Sequence, residues 1–73
     1  MERIAIEIEM SVNKHIEKNI LKNIEAGFDK IVMAAYKKNV KQHIEKIARQ
    51  NKEIEPLLES GKLEIKLLSE FLD

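Results

Sequence analysis

At 73 residues the chain is one small domain or a piece of a larger one, too short to bury a large core without help. It has no cysteine, which excludes disulfides and thiolate metal sites, and its longest apolar run, Ile31 to Tyr36, falls far short of the roughly 20 residues a membrane-crossing helix needs. Net charge is zero but uneven: residues 37–52 hold six basic and one acidic side chain, and residues 53–73 hold two and six. The N-terminus lacks a signal-peptide layout, so the cytoplasm is the expected compartment. Abundant Ile, Lys and Glu with few aromatics fit a heat-adapted (thermophile) source or an AT-rich genome.

The pattern begins with Ile4 to Val12. Apolar side chains at Ile4, Ile6, Ile8, Met10 and Val12 alternate with Ala5, Glu7, Glu9 and Ser11, the period of a half-buried strand, which no helix can sort onto one face. The even-numbered set is expected to face the core and Glu7 and Glu9 the opposite side. Their Cβ atoms would stand roughly 6–7 Å apart, able to share a divalent ion or simply solvated. Asn13 then stands where an N-cap belongs, and Ile16, Ile20, Leu21 and Ile24 recur at helical spacing until Gly27 stops the helix. Lys14, Lys18 and Lys22, four residues apart, form its outer face, either a solvated row or an anion-contacting ridge.

After a turn at Phe28 and Asp29, Lys30 to Tyr36 reads as a strand buried on both sides. Were it helical through Gln50, the chain would be a helical bundle with one N-terminal strand; the break at Gly27 favours the strand. Asn39 and Gln42 fit a capping box, and Val40, Ile44, Ile47 and Ala48 form one apolar stripe reaching about Asn51. Lys37, Lys38, Lys41, Lys46, Arg49 and Lys52 make this segment basic. They either meet phosphates or solubilise an exposed helix and pair with the acidic tail. Pro56 closes the region, Leu57 and Leu58 anchor a short turn, and Ser60 and Gly61 break the chain. Lys62 to Leu68 alternate as a third strand, with Leu63, Ile65 and Leu67 inward and Glu64 and Lys66 outward, and Ser69 to Asp73 add a terminal helical turn carrying Phe71 and Leu72. His15 and His43 lie 28 residues apart in polar settings and read as surface histidines.

Strands separated by helices imply parallel pairing and right-handed crossovers. The expected fold is therefore a small α/β two-layer βαβαβ sandwich, residues 1–73, with a three-stranded mainly parallel sheet and both helices on one face. Ile4, Ile6, Ile8, Met10, Leu63, Ile65 and Leu67 would face the helices, and Glu7, Glu9, Glu64 and Lys66 would lie on the open face. Such a sheet, with one bare face and two edges, calls for a homodimer or for further N-terminal elements of the same domain.

Ile4-Ala-Ile-Glu-Ile-Glu-Met-Ser, the Lys/Asn-rich helix from Asn13 to Asn23, Glu25-Ala-Gly-Phe-Asp-Lys-Ile-Val-Met and Leu63-Glu-Ile-Lys-Leu-Leu-Ser-Glu-Phe-Leu together resemble the C-terminal half of restriction-endonuclease-like, PD-(D/E)xK, domains of the kind found in conjugative and other mobile elements. The resemblance implies that Glu7 and Glu9 match the catalytic, magnesium-binding Glu-x-Lys or Glu-x-Glu pair of a phosphodiester-cleaving nuclease. Glu9 stands where the usual lysine would be, and the family's preceding hairpin, with its aspartate, has no room before Ile4. Two carboxylates alone hold magnesium weakly. The expectation is a non-catalytic or incomplete nuclease-like domain that meets DNA or RNA through its lysines, with no cofactor, or with magnesium if it is an enzyme. The alternative is a small dimerising interaction module with no nucleic-acid role.

Overall fold

A computed structural model describes residues 1–71. Three strands, β1 (Ile4–Glu9), β2 (Lys30–Ala35) and β3 (Leu63–Leu67), form one parallel sheet in the order β1-β2-β3. Helix α1 (Ile16–Glu25) connects the first pair, and α2 (Lys38–Gln50) with the short α3 (Glu55–Ser60) connects the second. A 3₁₀ turn, Leu68–Phe71, follows β3; the helical turn expected over Ser69 to Asp73 is thus seen as far as Phe71, and Leu72 and Asp73 lie outside the described residues. The chain is an α/β fold of the expected alternating order.

Local chemistry accounts for the boundaries. Gly27 and Gly61, both at left-handed φ (+81° and +85°), end α1 and α3, a backbone state that glycine enters without a Cβ penalty. Pro56 falls in the first turn of α3, where its missing N–H leaves no bond unmade. Two expected caps differ. Asn13 accepts from the His15 amide at 2.9 Å as a turn before α1, whose cap position is His15. Asn39 lies inside α2, which begins one residue earlier with Lys37 at the cap and no side-chain capping bond. The stripe that packs α2 starts at Val40, so the helix extends back until Lys37 turns extended.

One hydrophobic cluster joins Ile16 and Ile20 of α1, Val40, Ile44 and Ala48 of α2, and Ile54 to Ala5, Ile31, Met33, Ala35 and Leu63 of the sheet. Both long helices therefore cover the same sheet face. The strand register runs Ala5–Ile31–Leu63 and Glu7–Met33–Ile65 across that face, and Ile6–Val32–Glu64 and Ile8–Ala34–Lys66 across the other. β2 is buried on both sides, and Leu63 and Ile65 face inward with Glu64 and Lys66 outward, as expected.

In β1 the faces are exchanged. Ala5, Glu7 and Glu9 look toward the helices, while Ile4, Ile6 and Ile8 stand on the uncovered face at 47%, 59% and 55% exposure. This corrects the expected assignment of both sets. Register is the cause: the Asp29 amide donates to the Arg3 carbonyl at 2.9 Å, the Arg3 amide donates to Asp29 Oδ2 at 2.8 Å, and Ala5 falls opposite Ile31. Because side chains alternate with period two, that single setting decides where the whole row points. Beneath α1 the helix supplies the bulk, Ile16 and Ile20, and the strand contributes only the small Ala5 to the cluster.

Candidate functional site

Glu7 and Glu9 lie two residues apart on β1, so both carboxylates rise from one side of a rigid strand toward α1. Asn19 and Asn23 stand one helical turn apart on α1, a spacing close to that of the two acids. Asn23 Nδ2 donates to Glu7 Oε1 at 3.0 Å and to the Asn19 carbonyl at 3.1 Å. Glu9 is only 7% exposed, the one buried charged residue among those described. Burial pushes its carboxyl above the usual carboxylate range, the negative charge of Glu7 adds to the rise, and the Asn19 side chain works against it. The acid pair is thus a polar layer inserted between sheet and helix. Asn23, which donates to Glu7, and Asn19, beside Glu9, are functional neighbours that the acid motif alone does not reveal, although their i, i+4 spacing beside Ile16 and Ile20 is the available signal.

The magnesium implied by the family resemblance can be tested against this arrangement. The ion needs near-octahedral oxygen ligands and retains several waters. Glu7 already receives Asn23 and Glu9 is sealed under α1. No group of three His, Asp or Glu side chains placed to hold a metal occurs among the described residues. The donors present do not by themselves fit a resident magnesium, and no step is assigned through one.

The basic residues divide. Lys14 follows the carboxyl end of β1, and Lys37 and Lys38 follow that of the neighbouring β2; all three are exposed, as is Lys18 in the first turn of α1. The Tyr36 amide donates to the Glu9 carbonyl at 2.9 Å, which ties the start of α2 to the end of β1. The first turn of α2 holds no acidic residue and no side-chain cap; the Val40 and Lys41 amides both donate to the Lys37 carbonyl at 3.1 Å, which leaves the Lys38 and Asn39 amides and the positive end of the helix dipole beside Lys37 and Lys38. Lys41, one turn further on, lies 3.8 Å from Glu70, and Arg49 lies 3.8 Å from Glu59, so part of the basic block pairs with the acidic C-terminal third. Lys46, Arg49 and Lys52 lie two turns or more beyond Lys38 along the chain of α2 and do not join the basic start of that helix. His15 is exposed ahead of α1 and His43 is half-buried on α2.

On the other side of the sheet, Lys30 Nζ and Lys66 Nζ approach the two oxygens of Glu64 at 2.8 and 3.0 Å, and their hydrogen bonds hold that carboxyl below its usual range. Lys66 also lies over the Phe71 ring at 4.9 Å. Across β2 from Glu64 and Lys66, on the opposite edge of the sheet, runs the bare isoleucine row of β1. No helix among the described residues is long and apolar enough to cross a membrane. No family model matches the chain, and no curated protein or solved structure matches it.

Proposed function

We propose that this chain is a non-catalytic, nuclease-like domain, of the mobile-element kind that its sequence resembles, which binds DNA or RNA in the cytoplasm and self-associates. The observation that carries the reading is the junction of β1 with α2. Two carboxylates stand on β1, and the strand end accepts from the Tyr36 amide just ahead of a helix start that has Lys37, Lys38 and no acid. Phosphates are the anions such a start suits, since lysines release counterions on binding them and helix amides point at them. That two carboxylates stand there without a third metal ligand among the described residues supports the non-catalytic half of the reading.

Titration of labelled duplex and single-stranded DNA at low and moderate salt tests it. Binding should weaken as salt rises, and the double variant Lys37→Glu/Lys38→Glu should lower the salt slope by about two. Lys62→Glu, at the opposite end of the strands, should behave as the parent. No binding at low salt removes the nucleic-acid role and leaves the interaction module, the reading that the bare isoleucine row favours. Magnesium-dependent cleavage that disappears in Glu7→Ala would instead overturn the non-catalytic half.

A further inference from the structure

The uncovered sheet face is patterned, not merely bare. Across it, two rows run from an isoleucine on β1 through a small residue on β2 to a charge on β3, Ile6–Val32–Glu64 and Ile8–Ala34–Lys66, and at the strand starts a third row pairs Ile4 with Lys30, whose ammonium reaches Glu64. Val32 and Ala34 are buried between their larger neighbours, so the face is a shallow trough with an apolar bank and a charged bank. Two such rows of opposite charge are self-complementary. A two-fold axis lying in the plane of contact, perpendicular to the strands and midway between these rows, sets Ile6 of one copy on Ile8 of the other. The same axis sets Val32 on Ala34 and Glu64 opposite Lys66. An axis parallel to the strands would instead put the isoleucines against the charges.

We propose that this face is covered by a second copy of the chain, sheet against sheet, in the first of these arrangements. It is an isologous contact in which every pairing occurs twice, and stacked sheets of this kind pack about 10 Å apart. Ile4, Ile6, Ile8 and Met10, each about half exposed, offer roughly 400 Å² of apolar surface per copy, within the roughly 300–600 Å² of the largest, often functional, patch on a monomer. With the one-third-exposed stems of Lys30, Glu64 and Lys66 partly covered, the total for two copies lies between about 800 and 1,200 Å², at or below the lower end of specific interfaces. The Glu64–Lys66 pairs fall on the outermost strand, at the rim, where they fix register without being sealed from water. Contacts at this small end are mostly weak or transient, so the dimer is expected to form in the micromolar range rather than more tightly.

Sedimentation velocity from low to high micromolar concentration tests the arrangement with the intact chain. The parent should shift from monomer to dimer. Ile6→Asp alone and Ile8→Lys alone should each weaken association by more than about tenfold, because each places a charge twice against an isoleucine. Mixed in equal amounts they should recover a dimer, since residue 6 of one faces residue 8 of the other and the two new charges meet. Both substitutions fall on exposed side chains, and far-UV circular dichroism with thermal unfolding checks that each variant stays folded.

A parent that stays monomeric at every concentration overturns the proposal and fits a face covered by a different polypeptide. Association that survives Ile6→Asp overturns it in favour of edge-strand pairing. Two weakened variants that do not recover on mixing overturn this register. The inference rests on the self-association half of the function proposed above and not on nucleic acid: Lys37→Glu/Lys38→Glu should sediment as the parent does, whatever its effect on DNA binding.

Discussion

Replacing isoleucine by threonine keeps a β-branched side chain and removes two carbons in exchange for a hydroxyl, so the same change made at Ile6 and at Ile20 measures which of the two is inside. The two carbons contribute ~0.8 kcal/mol each when fully buried. Ile6 keeps 59% of its surface in water, so Ile6→Thr should destabilise the monomer by only about 0.6 kcal/mol. Ile20 has no exposed surface; there the full transfer loss is joined by a residual cavity and a desolvated hydroxyl, and Ile20→Thr should cost about 3 kcal/mol. A 73-residue domain holds ~4–11 kcal/mol in all, so both variants remain folded enough to measure. Urea unfolding followed by circular dichroism, at concentrations well below any self-association and with equal m-values, gives both numbers. Had the even-numbered residues of β1 packed under α1, the two losses would be alike. An Ile6→Thr loss above about 2 kcal/mol in dilute protein refutes the outward placement of that row.

Two further outcomes bear on the polar contacts. Because burial holds the Glu9 carboxyl above its ordinary value of 4.5, the folded state binds its proton more tightly than the unfolded chain. Stability from this group is complete below that ordinary value and is lost as pH rises through the folded one. Glu9→Gln should therefore be more stable than the parent at neutral pH and should lose the acid-side gain, and thermal melts from acidic to neutral pH that keep the parent's slope in the variant would contradict the burial of Glu9. Asn51, just past α2, accepts from the Glu53 and Ile54 amides at 2.8 and 3.2 Å and donates to Glu17 Oε2 at 2.8 Å, joining the α2–α3 turn to the start of α1. Asn51→Ala should cost about 1 kcal/mol and Asn51→Ser clearly less in urea unfolding, and equal stability of the two would mean that the side-chain acceptor contributes nothing to the turn.

The amino-acid sequence by itself determined the alternation of three strands with helices, their approximate ends and the helix-facing row of β3. Each of these is a local matter of period, glycine stop and apolar stripe, read from residues such as Gly27, Ile44 and Leu63. It also determined that Glu7 and Glu9 share one side of β1. Which side faces the helices was decided only by tertiary structure. An alternating strand is symmetrical under exchange of its faces, and the choice depends on partners distant in the chain. Those partners are Asp29 fixing the register at Arg3, Ile16 and Ile20 filling the space above Ala5, and Asn19 and Asn23 meeting the two acids. The pairing of β1 with β2, a long-range choice, also set the first basic residues, Lys37 and Lys38, beside the end of β1, while the later ones follow along α2.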